Sequence, residues 1–188
     1  SVERQSGFLK PQINNSNELG DSLHVPYFYV ISENKDLTFK PTIFDKNIFM
    51  FQNEYRQQNK NSFFITDFNI TDGYKSKTTN EKNTLFHIFT KFDADLDFEN
   101  FIESSLNISI QKVNNDTYLK IFDTNIVETD LKPENFDTLT SDIELNLEHE
   151  KFALNSGFTV YEDLSKPNSD RYQYVLPYYS FSNNLFSE

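Results

Sequence analysis

Apolar and polar residues alternate along most of this chain. Leu37, Phe39, Pro41 and Ile43 share one parity, with Thr38, Lys40 and Thr42 on the other. Phe49, Phe51 and Tyr55 line up around Asn53, and Phe64, Phe68 and Ile70 oppose Asp67 and Asn69. From Phe86 the apolar set is Ile88, Phe92, Ala94, Leu96 and Phe98, against His87, Lys91, Asp93, Asp95 and Asp97. Leu106, Ile108 and Ile110 alternate with Ser105, Asn107, Ser109 and Gln111, and Ile143, Leu145 and Leu147 with Asp142, Glu144, Asn146 and Glu148. Phe152, Leu154, Phe158 and finally Tyr172, Tyr174, Leu176 and Tyr178 continue the pattern. Period two places successive side chains on opposite faces of a strand, so each run predicts a strand with one apolar and one polar face.

The runs predict about ten strands, at roughly 6–14, 18–31, 36–45, 47–58, 61–72, 84–97, 103–113, 140–150, 152–164 and 171–182. The expected fold class is all-β, an antiparallel up-and-down meander. Helical periodicity is weak throughout. The best helical candidate is a short turn around Asp97–Ser104.

The connections fall into two sets that alternate along the chain. Ser32–Lys35, Gln58–Asn61, Asp97–Glu103 and Glu148–Lys151 are short. Asn14–Asn17, Asp72–Asn83, Asn114–Leu139 and Ser165–Asp170 form the other set, which is mostly longer apart from the tight hairpin at Asp45–Lys46. Short turns on one rim and long loops on the other is the arrangement of an outer-membrane barrel. A soluble meander or sandwich with one solvated face carries the same alternation. The long insert Asn114–Leu139 is polar, with Tyr118, Leu119, Ile121 and Phe122 as apolar anchors, and reads as a surface loop folded back on the sheet.

Two prolines stand inside expected strands, Pro11 in the first and Pro26 in the second. Proline has no backbone donor and belongs at an edge, a bulge or a strand end. The first two strands therefore read as a weak sheet border.

Composition narrows the picture. The chain has 188 residues, enough for one domain, and its apolar content is dominated by 20 Phe and 10 Tyr. A net charge of −12 without any Lys/Arg cluster argues against nucleic acid. The absence of Cys excludes disulfides and thiolate sites within the chain. No apolar run is long enough for a transmembrane helix, whereas a membrane-crossing strand needs only ~9–11 residues. The start at Ser1, without Met, reads as a cut from a longer protein.

The candidate chemistry is sparse. Asp93, Asp95, Asp97 and Glu99 have calcium-loop spacing, but Phe98 stands where glycine is needed and Ser104 where a closing Glu belongs. They read as a solvated or lumenal face. His24, His87 and His149 lie in separate strands and read as surface or lumen residues. No nucleophile elbow, zinc-protease helix or phosphate loop is present, so no enzyme and no cofactor is expected. The clusters Tyr27, Phe28, Tyr29 and Tyr178, Tyr179, Phe181, beside Pro26 and Pro177, read as an interfacial aromatic girdle.

The opening third carries a resemblance. Arg4, Ser6, Gly7, Phe8, Leu9 and Pro11, then Val25, Pro26, Tyr27 and Phe28, then Asn34, Asp36, Thr38 and Pro41, and finally Glu54, Tyr55 and Arg56 resemble the barrel start of the LptD family. That is the lipopolysaccharide-assembly outer-membrane protein, also called organic solvent tolerance protein. Ser169–Ser182 also looks like a barrel strand of that family. The resemblance implies that residues 1–188 are the first strands of a larger barrel, without the family's periplasmic jellyroll or its remaining strands. It implies transport of lipopolysaccharide into the outer leaflet of a Gram-negative outer membrane. The implied partners are the plug lipoprotein LptE and the periplasmic bridge protein LptA. The family's gate prolines map onto Pro11 and Pro26, and Gly7, Phe8, Leu9, Tyr27 and Phe28 carry its motif. A porin-like barrel and a soluble β-sandwich binding glycan or protein are the alternatives.

Overall fold

The computed structural model describes residues 4–76, 82–126 and 129–183. The chain runs through β1 (Gly7–Phe8), β2 (Gln12–Ser16), β3 (Gly20–His24), β4 (Tyr27–Ser32), β5 (Lys35–Phe44), β6 (Phe49–Gln58), β7 (Ser62–Lys75), β8 (Lys82–Asp95) and β9 (Glu103–Val113). A short helix, α1 (Tyr118–Phe122), precedes β10 (Thr138–Glu148), β11 (Phe152–Asp163) and β12 (Tyr172–Asn183). All twelve strands form one antiparallel sheet in sequence order, with β1 on β4, β2 on β3 and β3 also on β5. The sheet is not closed. Its borders are the β1–β2 segment and β12.

The expected strands are all found, with one change. The first two each break in half at their proline, giving four short strands where two long ones were predicted. The loop expected at 72–83 and the last residues of the chain fall partly outside the described residues. Among the described residues no helix is long and apolar enough to cross a membrane, which says nothing of strands.

Register assigns every strand residue to a face. Pro41, Phe51, Ile70 and Phe86 are cross-strand neighbours in one row. With Phe39, Ile43, Phe49, Ile88, Ile110 and Ile143 they form an apolar face that remains exposed, Ile43 to 55% and Ile143 to 49%. The opposite face carries Asp36, Thr42, Gln52, Asp67, Asn69, Thr71 and His87, all buried. This inverts the distribution of a soluble sheet, which buries its apolar face.

The insert between β9 and β10 covers the polar face near the long-loop rim. Tyr118, Leu119 and Phe122 of α1, with Ile126 and Leu131 beyond it, join Leu19, Phe44, Ile48, Met50, Leu85, Phe89, Val113, Leu139 and Leu164 in the apolar core. The helix forms because Tyr118, Leu119, Phe122 and Ile126 repeat at helical spacing. Its start is turned by Asn115, whose side-chain oxygen accepts from the Thr117 amide at 2.9 Å. One expectation is corrected here. No helix forms at 97–104, where Asp97 takes a left-handed φ of 52° in a turn. The insert folds back on the sheet, and three of its four apolar anchors are fully buried on the inner face.

Gly73 is required by its backbone. It has φ +85°, sits at the β7–β8 register shift, and a Cβ there would lie 2.5 Å from the Asn47 carbonyl oxygen. Gly7 of the family motif meets nothing within 4 Å, so contact does not dictate its size.

Candidate functional site

The proline-bearing border is a real irregularity in the hydrogen-bond ladder. Gly7 pairs with Phe28 and Phe8 with Tyr27, but Gln12 pairs with His24. The three residues Leu9–Pro11 therefore face only the two residues Val25–Pro26, which is a β-bulge. Across the gap the Leu9 amide donates to the Pro26 carbonyl at 2.8 Å, and Pro26 has no N–H to return. On the other side the Val25 amide donates to the Pro41 carbonyl at a long 3.4 Å, and again the proline cannot reciprocate. Pro11, Pro26 and Pro41 thus follow one another across three neighbouring strands. Two half-made rungs weaken the border by on the order of 1–3 kcal/mol.

The motif residues converge beside this seam. The Asp36 carboxylate, buried on the inner face, accepts from Arg56 Nε at 2.9 Å and from Arg4. Arg56 Nε also lies 3.4 Å from Glu54, and the Arg4 guanidinium sits 5.5 Å from the centre of the Phe28 ring. Residues far apart in sequence therefore staple the first segment to β5 and β6. Phe8 and Tyr27 meet edge to face at 5.0 Å across β1–β4.

Beside Pro26 a cleft of ≈ 350 Å³ opens, lined among others by Leu9, Gln12, His24, Lys40, Gln52 and Glu54. Pro11 does not line it. His24 is buried, its Nε2 donating to Gln12 Oε1 at 2.8 Å. The amide Nε2 of Gln52 donates to Asp67 Oδ2 at 2.9 Å.

From Gln52 a buried polar chain runs to the insert. Asp67 Oδ1 lies 3.3 Å from His87 Nε2, without hydrogen-bond geometry. His87 Nδ1 is 2.8 Å from the Tyr118 hydroxyl, which also takes a bond from the Asn69 side-chain amide. Asn69 in turn donates to Thr71 Oγ1 at 2.9 Å. Burial pushes the Tyr118 hydroxyl well above the usual tyrosine range. The His87 ring stacks on Phe89 at 4.3 Å.

Of the three histidines, read from the sequence as surface or lumen residues, His24 and His87 are buried on the inner face, and His149 lies outside the buried set, stacked on Phe152 at 4.8 Å. The aromatic clusters divide between faces. Tyr27 pairs with Phe39 on the apolar side, whereas Phe28 pairs with Thr38 and Tyr178 with Gly157 on the polar side. Asp93 pairs with Lys91 at 3.3 Å, and Asp95 accepts from the Asp97 amide at 3.0 Å. Among the described residues no group of three or more His, Asp or Glu is placed to hold a metal ion.

No family model matches the chain. It is 29% identical over 133 residues to the LPS-assembly protein LptD of Legionella pneumophila strain Lens, covering 66% of this chain and 16% of that protein. It is 31% identical over 87 residues to LptD of Nitrosomonas europaea, 45% of this chain and 12% of that protein. The LptD of Ectopseudomonas mendocina is 37% identical over 59 residues, 31% of this chain and 6% of the relative. The chain is a distant relative of LptD proteins. It spans about one sixth of the length of the Legionella relative.

Proposed function

We propose that this chain is part of the wall of an outer-membrane β-barrel that carries lipopolysaccharide to the outer leaflet. The single observation that best supports the reading is the orientation of the sheet. An exposed apolar face backed by a buried polar one suits a wall between lipid and an aqueous lumen, and contiguous exposed apolar surface marks an interaction site. A soluble glycan-binding sandwich has no use for such a face. The LptD relatives, named for LPS assembly, add the substrate class, and the long-loop rim is the extracellular side.

In this reading the seam at Pro11 and Pro26 is one half of a lateral gate. The half-made rungs lower the cost of parting the border strands, so an acylated headgroup leaves sideways while its saccharide stays in the lumen. The work is transport without covalent chemistry. The plug lipoprotein LptE and the bridge protein LptA are the partners this reading brings.

Replacing Pro11 and Pro26 together by alanine tests the gate, because alanine restores the donor missing from the Leu9–Pro26 rung and gives position 11 an N–H. In cells that depend on a protein carrying this chain, surface lipopolysaccharide falls while protein level and outer-membrane fractionation stay unchanged. Normal surface lipopolysaccharide in that double variant removes the gate mechanism. Recovery of the folded chain in the soluble fraction without detergent removes the membrane reading itself.

A further inference from the structure

We propose that the long-loop tip of β7 and β8 seats the phosphate of a lipid headgroup, held by Lys75 and Lys82 with Lys46 beside them. The inference rests on the membrane reading above and assigns the wall a contact with the leaflet at its long-loop rim.

Lys75 and Lys82 are cross-strand partners, and both are exposed. Like charges directly opposite each other destabilise an antiparallel pair. Elsewhere Lys91, Lys112, Lys120, Lys132 and Lys166 each meet a carboxylate. Among the described residues Lys75 and Lys82 meet none, in a chain with 29 acidic side chains. Their repulsion is relieved by an anion from outside the chain.

A third lysine is brought in by the backbone. Gly73, with no side chain, lets the Asn47 carbonyl come against β7, which sets the Lys46–Asn47 turn beside the strand tip. Lys46 Nζ donates to the Glu18 carbonyl at 3.0 Å, so its ammonium is held in place. The three lysines line a cleft of ≈ 350 Å³ whose lining holds one carboxylate, that of Glu18. Lysine binds phosphate as a point charge with several donors, and three such groups around one cleft suit it.

Position on the sheet decides between a lipid and a dissolved anion. Lys82, Thr84 and Phe86 share one parity of β8, so Lys82 and its partner Lys75 stand on the exposed apolar face. Below them on that face come Asp72 and Thr84, bonded at 3.4 Å, and then Ile70 beside Phe86. Lys82 lies four positions beyond Phe86, ~13 Å at the rise of a strand. A lysine lays its methylene stem along apolar surface and keeps its ammonium at the polar level, and a cation near the bilayer edge costs little. A phosphate seated here therefore carries acyl chains that lie against Ile70 and Phe86.

The test uses the protein that carries this chain, extracted from its membrane in a zwitterionic detergent and stripped of lipid. Dioleoylphosphatidic acid is titrated, and bound lipid is counted by native mass spectrometry. Lys75→Gln/Lys82→Gln should weaken binding about tenfold, the summed effect of two exposed ion pairs. Lys35→Gln/Lys60→Gln, the same charge change at the short-turn rim, should leave it unaltered. Glycerol phosphate at the same concentration should not displace the lipid. In lipid-free detergent the first double variant should melt no lower than the unaltered protein, because the opposed charges are gone. Unchanged binding in that variant, equal losses in both double variants, displacement by glycerol phosphate, or a lowered melting midpoint without lipid overturns the seat. Loss of the seat leaves outer-membrane fractionation and the proline-variant export assay untouched, whereas a folded chain in the soluble fraction removes the membrane reading and the seat with it.

Discussion

Tyr118→Phe isolates the bond that holds the insert against the sheet. The ring is retained, with its contacts to Phe122 at 4.8 Å and to His87 at 5.4 Å. Only the hydroxyl is lost. Asn69 then loses an acceptor and His87 Nδ1 loses its partner, in a site where Asn69, His87 and Tyr118 are all 0% exposed. Leaving a buried polar group unmatched costs ~1–3 kcal/mol, and the Phe ring recovers part of that through easier desolvation. A net loss of about 2 kcal/mol is expected, which is about a 30-fold change in an equilibrium. If the insert opens as a unit, the cost appears as local opening rather than global unfolding. Hydrogen exchange reads it directly. The Ile121 amide, bonded to the Thr117 carbonyl at 3.0 Å, and the Ile126 amide, bonded to that of Phe122 at 3.0 Å, should exchange about 30-fold faster. The β10–β11 ladder should not change. Unaltered exchange in the insert would refute the idea that this hydroxyl fastens it. An alkaline arm adds a sign. The folded chain keeps the Tyr118 hydroxyl neutral to higher pH than the unfolded chain, because burial raises its pKa. The contribution of Tyr118 to the insert's stability is therefore constant below the usual tyrosine value of about 10 and is lost as pH rises beyond it. Tyr118→Phe removes this contribution.

Three other outcomes follow from the geometry. Ile70→Arg, on the exposed apolar face, should reduce stability in a bilayer by about 2–4 kcal/mol if the position lies near the midplane. On a soluble sheet the same change would fall within about 0.5 kcal/mol, so refolding titrations in vesicles separate the two. Asp36→Ala strips the carboxylate from Arg4 and Arg56. Because both guanidinium groups are partly exposed, the loss is about 1–2 kcal/mol, and faster proteolysis near Arg4 is the readout. Gly73→Ala places a Cβ against the Asn47 backbone at a left-handed φ, at about 1–3 kcal/mol; a thermal midpoint equal to that of the unaltered chain would contradict it.

Much of the architecture is legible in the chain because it is local. A strand's two faces are written in its parity, so the strands from 36–45 onward and the alternating rims follow from the sequence. The break of the first two strands was not predicted, although their prolines, which cannot return a bond, marked them as a weak border. The buried polar chain was harder to read, yet one signal was present. Leu85, Phe86, His87, Ile88 and Phe89 form an apolar run around His87 with no alternation, and a strand apolar on both faces is covered on both faces. The helical spacing of Tyr118, Leu119, Phe122 and Ile126 was the matching half of that signal.

What the sequence by itself determined is the set of strands, their faces and the donor-poor border at Pro11 and Pro26, because period and proline chemistry act within a few residues. Only the tertiary structure decided which polar residues are buried and which meet. His87 is sealed by Tyr118, 31 residues away, and Asp36 gathers Arg4 and Arg56 from 32 and 20 residues away. Such contacts depend on strand register and on where the insert comes to rest, and those are set by the packing of distant segments rather than by any local preference.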